Sequence, residues 1–204
     1  MTKILGALFL LIMVYGCAGP VRHALTPDFT EKGPRGVIVM PVEWADMNSP
    51  EDSYANGLMR LMAEERLKAM GYDPIGIRPA HDPAWLKDRG AEEILSLYGA
   101  DAVLGIKILR WDMDAVTGYA SLRIKASFSL ASGGDKPLWS AVYDETDFDL
   151  RLDNESNELA VIKAFEPRLQ RLIDSVFSTL PHAGRAKEEK TGDAGAGTHY
   201  DWLP

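Results

Sequence analysis

Between Tyr119 and Leu130 apolar and polar residues alternate without a break: Ala120, Leu122, Ile124, Ala126, Phe128 and Leu130 on one side, Ser121, Arg123, Lys125, Ser127 and Ser129 on the other. A period of two marks a strand with one buried and one wet face. Ser132-Gly133-Gly134-Asp135 then has the composition of a hairpin turn, so Lys136 to about Phe148 is expected to return as the antiparallel partner. A hairpin with one wet face must lay the other on something apolar, which restricts the chain to folds that cover one side of a sheet.

The remaining segments supply that cover. Val37 to Val42 is a short β-branched run stopped at Pro41, as suits a buried strand. Ser49-Pro50-Glu51-Asp52 reads as a helix start, with Ser as cap and acids near the positive end of the helix. That helix is expected to reach about Met70, to bury Ala55, Leu58, Met59, Met62, Ala69 and Met70, and to end at Gly71. Tyr72 to Ile77 is a second strand, confined to an edge by Pro74. A second helix is expected from about Asp82 or Pro83 to Tyr98, with Trp85, Leu86, Ile94, Leu95 and Tyr98 apolar and Gly99 closing it. Ala102 to Trp111 is apolar on both alternating faces except at Lys107 and Arg110, the pattern of a central strand. From Leu159 to Leu180 apolar residues recur at helical spacing, predicting a long closing helix that Pro167 kinks. The predicted order is β-α-β-α-β-β-β-α, an α/β domain with a mixed sheet and helices mainly on one face.

The ends of the chain carry an address. Lys3 precedes an apolar run from Ile4 to Val14, then Tyr15, Gly16 and the only cysteine, Cys17. About 20 apolar residues are needed to span a bilayer, so this run reads as a secretory leader over residues 1–16 rather than a membrane span. Val14-Tyr15-Gly16-Cys17 resembles the lipobox of bacterial lipoproteins, with Tyr15 in place of the usual small residue. The resemblance implies diacylglycerol on the Cys17 sulfur and a permanent membrane partner. In that class Ala18, rather than Asp, after the cysteine implies the outer membrane. Residues 17–35, rich in Pro and Gly, read as a tether able to reach roughly 55 Å at about 3.3 Å per residue. Residues 36–181 form the single domain, and the polar, Gly-rich stretch 182–204 reads as a disordered tail.

The chain has 22 Lys and Arg against 30 Asp and Glu, a net charge of −8, and loss of Lys3 with the leader makes it −9. So acidic a chain is repelled by phosphate, which argues against nucleic acid as a partner.

Val37-Ile-Val-Met-Pro41, Gly71-Tyr72-Asp-Pro74, Tyr98-Gly-Ala-Asp-Ala-Val103 and Pro137-Leu-Trp139 together resemble a family of bacterial lipoproteins that includes a neisserial surface-antigen lipoprotein. The resemblance covers about residues 35 to 180. It implies a fold like the N-terminal domain of TolB, seen in variant form in the lipoproteins CsgG and LpoB, whose members bind proteins or assemble into oligomers and are not enzymes through this domain. A homo-oligomer is therefore among the expected states.

No reactive constellation stands beside that expectation. His23, His81, His182 and His199 are scattered, without the paired spacing of a zinc site, and the lone cysteine belongs to the lipid. Neither a G-x-S-x-G elbow nor a phosphate cradle between strand and helix is present, so no catalytic residue, metal ligand or cofactor is assigned. Asp112 and Asp114, with Asp144, Glu145, Asp147 and Asp149, are the densest carboxylates, and hairpin pairing could unite them for acid/base work or Ca²⁺. Their simpler role is to solvate strand ends and discourage edge-to-edge association. Lys107, Arg123 and Lys125 can line one exposed sheet face where an acidic segment docks, and Tyr200 and Trp202 place aromatic anchors in the tail.

The expected role is a non-enzymatic, outer-membrane-anchored interaction module on the periplasmic face, acting in envelope assembly or secretion. The rivals are a carboxylate-based metal protein or enzyme, and a CsgG-like oligomeric secretion component. In cells fed radioactive palmitate the protein is expected to carry label, and Cys17→Ser to remove it together with processing of the leader.

Overall fold

The computed structural model describes residues 19–44, 50–77, 89–112, 122–133, 136–147 and 158–183. In chain order these form β1 (Val21–Leu25), α1 (Asp28–Lys32), β2 (Gly36–Val39), β3 (Glu43–Trp44), α2 (Pro50–Ala69), β4 (Asp73–Ile75), α3 (Ala91–Tyr98), β5 (Ala102–Asp112), β6 (Leu122–Ala131), β7 (Trp139–Asp147) and α4 (Glu158–Phe177). All seven strands share one sheet in the order β1-β7-β6-β5-β2-β4, with β3 added alongside β5.

Two pairing modes meet at β5. On one side β2 runs parallel to it, with β4 parallel beyond, and α2 and α3 are the crossovers that parallel strands require. On the other side β6 and β7 follow as antiparallel hairpin strands, and β1 closes that edge antiparallel to β7. The alternation read in the sequence decides which face goes in. Ile124, Ala126, Phe128 and Leu130 of β6 are buried, while Arg123 and Ser129 are exposed.

The main core lies between that face and the two long helices. Ala55, Met59, Met62, Ala63 and Leu67 of α2 and Leu169, Leu172, Ile173, Val176 and Phe177 of α4 meet Leu104, Ile106, Phe128, Trp139 and Ala141 of the sheet. Phe177 sits edge-on to Phe128 at 6.1 Å and tilted to Trp139 at 6.1 Å, and the Trp139 indole N–H donates to the Thr179 hydroxyl at 3.2 Å. A smaller core forms on the opposite face, where Ile94 and Tyr98 of α3 cover Ile38 and Val103. The helices thus lie mainly on one face, and α3 shields part of the other.

The expected hairpin turn passes close to α3. Gly133 has φ 68°, a left-handed conformation that selects glycine, and a Cβ there would come within 3.1 Å of Glu92 Cγ. Gly71 and Gly99 end α2 and α3 with positive φ, as expected. The last described residues are fastened beside Gly71: Tyr72 Oη donates to the Pro181 carbonyl at 2.6 Å, and Ala183 N–H donates to the Met70 carbonyl at 3.0 Å. Burial pushes the Tyr72 phenol pKa up from its ordinary value, keeping the hydroxyl a donor.

Several expectations are corrected. Residues 21–32 build β1 and α1 rather than the tether that their composition predicts. Val21 to Leu25 pair residue by residue with Tyr143 to Trp139, and Phe29 is buried in the main core. Five residues of weak alternation sufficed, because the open edge of β7 offers a ready ladder. In α2 the exposed Ala69 gives way to Ala63 and Leu67, which complete the buried stripe. β2 ends at Val39, two residues before Pro41. The second helix begins at Ala91 among the described residues, whereas Asp82, Trp85 and Leu86 lie outside them.

Phe29 separates a tether from a folded segment. Phe29→Ala is expected to lower stability by about 3–5 kcal/mol, the usual range for a buried Phe, measured by urea unfolding followed by circular dichroism; a true tether would show no change.

Candidate functional site

The part of the sheet's outer face not covered by α3 gathers cations. β6 presents Arg123, Lys125, Ser127 and Ser129 there, opposite the buried set that includes Ile124 and Phe128. Register sets Lys107 of β5 beside Ser127 and Arg110 beside Lys125. Lys107 and Arg110 are three apart and would face opposite ways in a regular strand. An irregularity between Ile108 and Arg110 inserts Leu109 as an extra residue, turning Arg110 back to the side of Lys107 and leaving Leu109 47% exposed. Beyond β7, Arg22 of β1 stands beside Val142 on the same face.

Five cations therefore face outward; two acids are ion-paired with them, and register sets Asp112 beside Arg123 on the same face. Asp144 of β7 lies opposite Lys125, its carboxylate 3.1 Å from the Lys125 ammonium and 3.8 Å from Arg123. Glu43 of β3 lies opposite Lys107, 3.5 Å from its ammonium. The hydrogen bond from Lys125 holds the Asp144 carboxyl below its ordinary value, with the charges of Lys125, Arg123 and Arg22 adding to the effect. An electropositive patch thus sits on a chain of net charge −8. Exposed ion pairs of this sort contribute little to folding, so the surplus charge is a property of the surface rather than of stability.

Of the residues singled out in the sequence, Lys107, Arg123 and Lys125 do share this face. Arg22 and Arg110 were missed: the first was hidden in a presumed tether, and the second needed foreknowledge of the bulge. Cys17, Tyr200 and Trp202 lie outside the described residues. Strand pairing does not set the backbones of Asp112 and Asp147 on neighbouring strands. Asp112 pairs with Arg123 and Asp147 with Leu122, so β6 runs between them and their backbones stand about 9.6 Å apart, two strand spacings. Asp144 is taken up by cations, and Glu145 accepts a hydrogen bond from the Tyr143 hydroxyl. Asp114 and Asp149 lie outside the described residues, as do His81 and His199. Among the described residues no three His, Cys, Asp or Glu converge as metal ligands.

Chemically the face can hold carboxylates, since its ammonium and guanidinium groups donate hydrogen bonds and Ser127 and Ser129 add hydroxyls between them. No family model matches the chain. No curated protein matches it either. Among solved structures the chain is similar to the PelC dodecamer from Paraburkholderia phytofirmans, at 20% identity and a TM-score of 0.50, over 80% of this chain and 97% of that one. It is also similar to a lipoprotein from Neisseria meningitidis, at 19% identity and a TM-score of 0.43, over 70% of this chain and 99% of that one. The PelC match agrees with the α/β architecture built above.

Asp144 reports on the cluster. Its folded pKa is depressed, so its share of stability is full above the ordinary carboxylate value of 3.8 and is lost as pH falls through the lowered one. Carboxyl NMR titration is expected to place Asp144 below 3.8 in the parent protein, with Lys125→Met moving it upward.

Proposed function

We propose that the protein is a lipid-anchored, non-enzymatic interaction module on the periplasmic face of the outer membrane, docking an acidic segment of an envelope assembly or secretion partner on its open sheet face. The observation that carries this reading is the surplus of cations on one uncovered face of an acidic chain. Lys107 and Arg110 of β5, Arg123 and Lys125 of β6 and Arg22 of β1 converge there, outnumbering the acids Glu43, Asp112 and Asp144 that register sets on the same face. Such contrast selects partners of opposite charge and speeds their encounter.

The fold changes what the anchor does. With β1 starting at Val21, acylated Cys17 would be separated from the sheet by Ala18 to Pro20 alone, roughly 10 Å of chain at 3.3 Å per residue. The module is then held close to the headgroups rather than cast outward, and a partner must come to the membrane to meet it. Self-association fits the same reading, since PelC, similar in fold, forms a dodecamer.

A photo-crosslinking residue replacing Ser127 in the full-length protein tests this in living cells. One discrete heteromeric adduct is expected, and combined Lys107→Glu, Arg123→Glu and Lys125→Glu substitution should abolish it while leaving palmitate labelling intact. An adduct indifferent to charge reversal would reject the docking face, and absence of palmitate would reject the anchor.

A further inference from the structure

β1 is the outermost strand of the sheet, and Arg22 to Leu25 are exposed. Its hydrogen-bonding phase is fixed at both ends: Asp144 N–H donates to the Pro20 carbonyl at 3.0 Å, and Thr26 N–H donates to the Leu138 carbonyl at 2.9 Å. Antiparallel pairing alternates, so residues 20, 22, 24 and 26 turn their backbone groups toward β7. Val21, His23 and Leu25 aim theirs outward. The opposite edge is guarded, because β4 has three residues with Pro74 at its centre. At Val21, His23 and Leu25 no proline or lysine does the same. Leu25, 45% exposed, shares its side of the strand with Val21, which packs on the main core.

We propose that β1 is an intermolecular strand, pairing antiparallel with β1 of a second copy about a two-fold axis through His23. This deepens the self-association in the functional reading and draws on it for the anchor, which by confining copies to one surface raises their effective concentration. The segment is complementary to itself. With His23 opposite His23, Val21 meets Leu25 of the second copy and Leu25 meets Val21, so every outward N–H faces an outward carbonyl. The cross-strand Val–Leu pairs cover the exposed Leu25 side chain. Arg22 stands opposite Ala24, so no arginines meet. An unrelated peptide could take the hydrogen bonds, but the apolar pairing and the avoidance of like charge are already present in the strand.

The test uses full-length protein in detergent, with single cysteines placed along β1. Residues opposite each other in a hydrogen-bonded pair have Cα atoms about 5.5 Å apart, within disulfide range, whereas residues 22 in the two copies would be roughly 8.5 Å apart. On mild oxidation His23→Cys is expected to give a disulfide dimer, and Arg22→Cys and Ala24→Cys to give little. The parent protein, with Cys17 held by lipid, should give none; a parent dimer would report a free Cys17 and reject the anchor without touching β1. His23→Pro deletes the outward N–H and spares the ladder to β7, so it should weaken self-association by roughly tenfold through the two hydrogen bonds lost, measured by sedimentation. Ala24→Pro, which breaks that ladder, is the comparison for misfolding. Crosslinking at position 23 no better than at 22 overturns the proposal, as does unchanged association of folded His23→Pro. In cells, a His23→Cys adduct with a different protein would assign the edge to that partner and overturn pairing between copies.

Discussion

The hydrogen-bond ladder of β5 is the constraint on which the molecule depends. It accepts a parallel neighbour on one flank and an antiparallel one on the other, and so joins two crossover units to a meander. Its Ala102, Leu104, Ile106 and Ile108 belong to the main core, while Val103 belongs to the smaller core under α3. No other strand belongs so fully to both halves. A buried strand cannot leave its N–H and C=O groups unpaired, so the two halves are locked in one register by the requirement that both sides of β5 be satisfied.

That register then spends one irregularity where it matters for the surface. The bulge at Leu109 breaks the alternation once, and from there Arg110 joins Lys107 and Lys125 instead of facing the core. Trp111 turns inward and meets Trp44 of β3 edge-on at 5.2 Å. One inserted residue therefore both closes the core with an aromatic pair and concentrates cations on the opposite side.

Much of this architecture was legible in the residues, and the exceptions have physical causes. The alternation of β6, the glycines after α2 and α3, the edge position forced by Pro74 and the long apolar stripe of α4 each involve local chemistry that leaves few alternatives. β1 was not legible, since its identity comes from a partner strand more than 110 residues away in sequence and its own residues are mostly exposed. Three of the five cations of the open face were named from strand parity. The other two required a bulge and an edge strand, neither of which leaves a periodic trace.

The fastening of Pro181 and Ala183 beside Tyr72 and Met70 gives the molecule a polarity. Gly36 and Asp73 lie at the end of the sheet where β5 begins and the β6–β7 hairpin turns, whereas Pro20 lies beside Asp144, toward the other end. The described residues thus begin at one pole of the sheet and end at the opposite one. What is joined ahead of Pro20 and what is joined beyond Ala183 therefore depart from opposite ends of the sheet, so a contact made at one pole leaves the other free to turn elsewhere.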